Sequence, residues 1–151
     1  MKSDTSFTIK EITAKKAYEV RHPVLREGKP LDSSRFDGDD LPTTFHLGYF
    51  IDEQLVGVVS LLERDHATLK VEKAFQLRGM AVLTSFQKRG IGDALVTKAE
   101  TMIQERGGTF MWMNAREIAV RFYEKLGYEK HGEPFSIPKI GLHFVMIKTF
   151  S

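Results

Sequence analysis

Cysteine is absent from the 151 residues, which excludes a disulfide scaffold, cysteine–zinc sites, thiolate nucleophiles and iron–sulfur ligation together. Apolar runs are short, and none approaches the roughly 18 residues of a membrane-spanning helix. The opening stretch from Met1 to Lys10 lacks the apolar centre of a secretory leader, so a cytoplasmic protein is expected. Charge of one sign is not in excess either. The 22 lysines and arginines stand against 20 aspartates and glutamates, a net charge of +2, too small to imply nucleic-acid or membrane binding. Any anion site must therefore be local. His22, His66 and His131 show no ligand spacing, and no metal is assigned. A content of 42% hydrophobic and 28% charged residues is that of a soluble globular chain, and 151 residues suit a single domain over 1–151.

Periodicity then sets an order of elements. Ser6 to Ile12 alternates as a short strand. Thr13 is placed to cap a helix carrying Ala17, Val20, Val24 and Leu25, with Pro23 predicting a kink or break. Gly28 to Pro42 reads as a long polar loop, and Thr43–Ile51 and Leu55–Leu62 as two strands of a hairpin. Phe75–Val82 is a fourth strand, in which Gly79 signals a bulge or a close approach of other atoms. A helix runs from Ile91 to about Arg106 and stops at Gly107–Gly108. Thr109–Met113 is a buried strand. Ile118–Leu126 is a helix whose predicted core face is Ile118, Ala119, Phe122 and Leu126. Tyr128–His131 and Leu142–Thr149 complete a β-α-β-β-β-α-β-α-β-β order, an α/β (α+β) domain with helices able to cover both faces of a central sheet.

Chemistry concentrates in Gln87-Lys88-Arg89-Gly90-Ile91-Gly92. Two glycines in a tight turn before a helix aim backbone N–H groups outward, and Lys88 and Arg89 add charge suited to a pyrophosphate. A Gly-x-Gly turn also serves for chain reversal, and local chemistry leaves both readings open. The Walker pattern is absent, and the dinucleotide fingerprint fails because Leu95 stands where its third glycine or alanine belongs.

This segment, preceded by Leu77-Arg-Gly-Met-Ala-Val82, resembles the Arg/Gln-x-x-Gly-x-Gly/Ala signature of the GCN5-related N-acetyltransferase (GNAT) family. A second family motif is matched by Ala119-Val-Arg-Phe-Tyr123-Glu-Lys-Leu-Gly127-Tyr128, in the same order and spacing. The resemblance extends from about residue 6 to residue 149. It implies a single-domain GNAT fold, with a mixed, mostly antiparallel twisted sheet whose fourth and fifth strands splay to admit acetyl-CoA. Cofactor contacts are implied for Met80, Ala81 and Val82 along the pantetheine arm, and for Gln87, Lys88, Arg89, Gly90, Ile91, Gly92 and Asp93 at the pyrophosphate. Asn114 is implied as a further ligand, with a helix N-cap as its alternative. Tyr123 is implied at the thioester sulfur, protonating the leaving thiolate, with aromatic packing as its alternative.

The activity so implied is acetyl-CoA-dependent transfer to a primary amine of a small molecule or peptide in a ternary complex. The alternative is an acyl-CoA-binding sensor or regulatory module with little catalysis. The acceptor amine must lose a proton before it attacks, yet Gln76 and Arg78 stand where the family usually carries an acid on the fourth strand. That leaves His46, Glu63 and His143 as candidate bases, although a lone strand histidine is more often structural than catalytic. The tail Ile140-Gly-Leu-His143-Phe-Val-Met146-Ile-Lys148 resembles one subgroup of the family, but Leu142 replaces its proline. Arg21, Arg26, Asp39 and Asp40 fall where the family places its substrate-binding segment, and they read equally as a solvated loop with an Arg–Asp pair. Dimers are common in the family, which leaves a homodimer open.

Overall fold

In the computed structural model, which describes residues 6–69 and 71–150, the elements follow the expected order. They are β1 (Phe7–Ile12), α1 (Ala14–Leu25), β2 (Phe45–Ile51), β3 (Gln54–Glu63), β4 (Ala74–Val82), α2 (Ile91–Glu105), β5 (Phe110–Arg116), α3 (Val120–Lys125), β6 (Glu129–Ile137) and β7 (Gly141–Thr149). The strands are hydrogen-bonded in the order β1-β2-β3-β4-β5-β7-β6. β4 and β5 run parallel, while β1–β2, β2–β3, β5–β7 and β6–β7 are antiparallel, so the sheet is mixed. The parallel register joins Ala74–Gln76 to Phe110–Trp112, and both strands run on beyond it, β4 to Val82 and β5 to Arg116. Backbone contacts group the chain into two compact units, one made of the residues up to Leu62 with Gly79–Met102, the other of Glu63–Arg78 with the residues from Ile103 onward.

In the first unit, Thr13 caps α1 by accepting from the Lys16 N–H at 3.1 Å, satisfying one of the donors that a helix start leaves free. Pro23 does not break α1. It lies in the last turn, where its missing N–H removes one bond shortly before the helix ends at Leu25. Ala17 and Val20 pack with Leu55, Val58 and Ala81, so α1 covers one sheet face. Gly57 faces the other way: a Cβ there would meet Ile91 Cγ2 at 2.9 Å and Leu95 Cδ1 at 3.2 Å. The absent side chain lets α2 lie close on that face. The hairpin between β2 and β3 turns on Asp52 and Glu53, both at positive φ (46° and 73°), as a two-residue loop whose twist matches its strands requires.

In the second unit, Phe110–Met113 are buried along β5, with β7 on their open side. Ala74, Phe110 and Trp112 form a cluster with Leu69, Val71 and Ile147. The end of α2 is closed by Gly107 at φ 86° and by the Gly108 N–H donating to the Ile103 carbonyl at 2.7 Å, a left-handed glycine stop. Two expectations are corrected here. The segment 118–126 is a short 3-10 turn, Glu117–Ala119, followed by α3, and Ile118 is 89% exposed. The buried positions are instead Val120 and Tyr123. β6 continues to Ile137 through an irregularity between His131 and Phe135, so most of the stretch between the two expected strands, 132–141, is itself strand. Gly132 at φ 76° sits in that irregularity, and the chain is extended on either side of it.

Candidate active site

The first unit holds the glycine turn. β4 ends at Val82, whose carbonyl accepts from Gln87 Nε2 at 2.9 Å, while the Leu83 N–H donates to the Val56 carbonyl at 2.8 Å. These two bonds tie the loop to β3 and to the end of β4. Lys88 (φ 64°) and Gly90 (φ 81°) are left-handed, and they fold the chain sharply before α2. Ala94 N–H closes the first helical turn on the Gly90 carbonyl at 3.0 Å, so the amides of Ile91, Gly92 and Asp93 are those a first turn leaves without intrahelical acceptors. A Cβ on Gly90 would meet nothing within 4 Å. Lys88 and Arg89 are exposed, and the Arg89 guanidinium lies over the Phe86 ring, 5.2 Å from its centroid. Met80 and Val82 are half-buried and Ala81 is buried.

The same unit contains a buried polar cluster. Arg21 occupies the apolar stripe of α1 and is fully buried. Its Nη1 donates to Asp39 Oδ2 at 2.6 Å and to the Ser34 carbonyl at 2.7 Å, and its Nη2 donates to Ser60 Oγ at 2.7 Å. The guanidinium lies 4.1 Å from the Phe36 ring centroid. Gly79, at φ +62°, faces it, since a Cβ there would meet Arg21 Nε at 2.9 Å. The sequence signal at Gly79 therefore marks close approach of a side chain. His46 is buried, with Nδ1 2.6 Å from Ser60 Oγ and Nε2 3.1 Å from the Asp39 carbonyl oxygen. Burial lowers its pKa, partly offset by the Asp39 carbonyl and carboxylate. Arg26 donates from Nε to the Ser33 carbonyl at 3.2 Å, and its guanidinium lies 4.9 Å from the centroid of the same Phe36 ring. Asp40 is exposed, 3.9 Å from Arg35 Nε.

The second unit holds Tyr123, Asn114 and His143. Tyr123 is 5% exposed, with ring contacts to Phe122 and Tyr128, while Phe122 is half-buried. The expected phase, with Phe122 in the core, is thus reversed. Burial pushes the Tyr123 pKa far above the ordinary phenol value. Asn114 is an exposed residue within β5, opposite Val145, so it is not a helix cap. His143 lies opposite Arg116 and Phe135. Its Nδ1 is 2.9 Å from the Gly141 carbonyl oxygen. A carbonyl only accepts, so Nδ1 carries a proton, and in the neutral ring the lone pair is then on Nε2. Gln76 is buried and accepts from Arg64 Nη1 at 3.3 Å, and Glu63 is exposed at the end of β3.

Ser60, Ser34 and Phe36 escape a reading of the sequence. Ser60 carried a signal, as one polar residue in the apolar run Leu55–Leu62; Ser34 and Phe36 join through backbone and ring contacts that no spacing announces. Among the described residues no group of three or more histidine, aspartate or glutamate side chains is arranged to hold a metal, and no helix is long and apolar enough to cross a membrane.

The sequence matches the Acetyltransferase (GNAT) family over residues 12–128. It is 37% identical over 141 residues to the uncharacterized N-acetyltransferase YitI of Bacillus subtilis (strain 168), covering 93% of this chain and 95% of that one. Among solved structures, the fold is similar to an aminoglycoside 6'-N-acetyltransferase complexed with coenzyme A (TM-score 0.75, 19% identity, 94% and 96% of the two chains). It is also similar to the ribosomal-protein-S18-alanine N-acetyltransferase from Escherichia coli (TM-score 0.76, 17% identity, 97% and 95%).

Proposed function

Because this chain belongs to the GNAT acetyltransferase family, we propose that it transfers the acetyl group of acetyl-CoA to a primary amine of a small molecule or peptide by direct attack in a ternary complex. The observation that carries the reading is the turn at Gln87–Gly92, where left-handed Lys88 and Gly90 lead into the unpaired amides of α2. Those amides, open space beside Gly90 and two exposed cationic side chains fit a pyrophosphate. Met80, Ala81 and Val82 would offer backbone groups to the pantetheine arm, Asp93 completes the first turn of the helix, and Asn114 is an exposed amide available as a further ligand.

Acetyl-CoA supplies an acetyl group activated as a thioester. Tyr123 donates a hydrogen bond to the sulfur as the thiolate leaves. Its raised pKa keeps the proton on the oxygen throughout the neutral range, so the hydroxyl is always a donor and stabilises developing negative charge more than it releases a free proton. Of the candidate bases, His143 has the tautomer the task needs, with its Nε2 lone pair uncommitted, whereas both ring nitrogens of His46 are engaged. His143 is therefore assigned as the acceptor of the amine proton. Arg21, Arg26, Asp39 and Asp40 belong to the acceptor side, Asp40 as an exposed carboxylate and Arg21 and Asp39 as the buried pair behind it.

The acceptor class follows from the chemistry of the family and not from the fold, which serves aminoglycoside and protein acceptors alike among the neighbours. A panel of amines assayed with wild type and Tyr123→Phe tests the reading. The variant is expected to lose on the order of 10²-fold or more in kcat with acetyl-CoA affinity unchanged. Unaltered kcat would remove Tyr123 from the reaction, and binding of acetyl-CoA without turnover of any amine would favour an acyl-CoA sensor.

A further inference from the structure

Three polar side chains of the first unit stand where the hydrophobic pattern calls for apolar ones. Arg21 follows Ala17 and Val20 on the buried face of α1. His46 and Ser60 are directly opposed in the β2–β3 register, two residues from the Gly48–Val58 pair, and so lie on the sheet face that packs against α1. All three are buried.

Counting protons leaves one arrangement. Arginine only donates, so Ser60 Oγ accepts from Arg21 Nη2 at 2.7 Å. The Asp39 carbonyl only accepts, so His46 Nε2, 3.1 Å away, must carry a proton. If His46 Nδ1 also carried one, the ring would be a cation beside the buried Arg21, and the Ser60 hydroxyl hydrogen would lose its acceptor. The neutral ring resolves both conflicts: Ser60 Oγ–H donates to Nδ1 at 2.6 Å, and Nε2–H donates to the Asp39 backbone. The Asp39 carboxylate closes the circuit on Arg21 at 2.6 Å and also accepts from the Phe36 N–H at 2.8 Å.

We propose that Arg21, Ser60 and His46 are positioning residues for acceptor binding, which dock the segment Ser34–Asp39 onto β2 and β3 in a single proton arrangement. Asp39 is gripped twice, by its carboxylate and by its carbonyl, and the exposed Asp40 that follows is held at a fixed place for a cationic amine. This rests on the acetyltransferase reading for the identity of the acceptor, but the circuit itself does not.

Nitrogen NMR of the His46 ring and amide hydrogen exchange test the circuit without any assay of turnover. At neutral pH the account predicts a neutral ring with Nε2 protonated and Nδ1 bare. It predicts that Ser60→Ala speeds exchange across residues 34–41 by about tenfold, the scale of one lost bond to a charged group, and that Ser60→Thr restores it. In turnover assays Ser60→Ala raises the acceptor KM by a similar factor while the coenzyme A dissociation constant stays within about twofold. A charged ring, a ring protonated at Nδ1, or Ser60→Ala that changes neither exchange nor acceptor KM overturns the proposal. If Ser60→Ala fails to fold, the wild-type ring tautomer decides. Wild-type protein that neither binds coenzyme A nor acetylates any amine would sink the acetyltransferase reading, while the tautomer and exchange results would still judge the circuit.

Discussion

Arg21 places a full charge in the stripe of α1 that Ala17 and Val20 mark as apolar, and it is tolerable there because four acceptors surround it. Removing one partner of a fully buried pair strands the other. Arg21→Met is therefore expected to destabilise the fold by about 3–5 kcal/mol in urea unfolding, with much of the loss recovered in Arg21→Met, Asp39→Leu. Equal stability of wild type and Arg21→Met would contradict the pairing. His46 adds a pH signature. Its folded pKa lies below the unfolded value of 6.5, so its contribution is complete above about pH 6.5, where both states are neutral. It is lost as pH falls through that value toward the folded pKa, because the unfolded state then binds more protons. Stability measured from pH 7 to 5 should decline, and replacing His46 by asparagine should flatten that part of the curve. The sequence makes Arg21 and Asp39 conspicuous as parts of a substrate-binding segment, and His46 as a candidate base. Their burial was hidden because Ser34 and the Asp39 carbonyl come from the long loop, whose path no periodicity predicts. Tyr123 is singled out by its motif, with aromatic packing as the alternative, and its burial follows from 118–126 being a 3-10 turn and a short helix, which moves the buried face to Val120 and Tyr123.

β4 and α2 carry the cofactor assignment, and both were legible: the strand from its apolar run, the helix from its stripe and its Gly107–Gly108 stop. The glycine within β4 has a structural reason that spacing could not supply. A Cβ at Gly79 would press on Arg21 Nε at 2.9 Å from a backbone at φ +62°. Gly79→Ala should cost about 1–2 kcal/mol from the left-handed conformation alone, plus the displacement of Arg21, and a double-mutant cycle with Arg21→Met should show strong coupling. Additive effects of the two changes would separate the glycine from the arginine. The weaker element predictions failed for local reasons. Glycine and proline in 132–141 predict a turn after His131, yet here they mark an irregularity that the strand passes through. Ile118 fits a helical stripe and predicts a longer helix, yet it is exposed in a 3-10 turn before α3.

Across the chain a net charge of +2 gives little general attraction for a highly anionic ligand, so recognition is proposed to come from the turn at Gln87–Gly92. That makes the site removable by a small change: negative side chains at Gly90 and Gly92 would face the same amides the pyrophosphate needs. Calorimetric titration of acetyl-CoA into wild type and into the Gly90→Asp, Gly92→Asp double variant puts this to the test. Micromolar binding by wild type, weakened at least about a hundredfold in the variant by loss of charge-assisted hydrogen bonds, is the predicted result. Equal affinity in both proteins would move the cofactor away from the glycine turn, and no binding by wild type would contradict the acetyltransferase account itself.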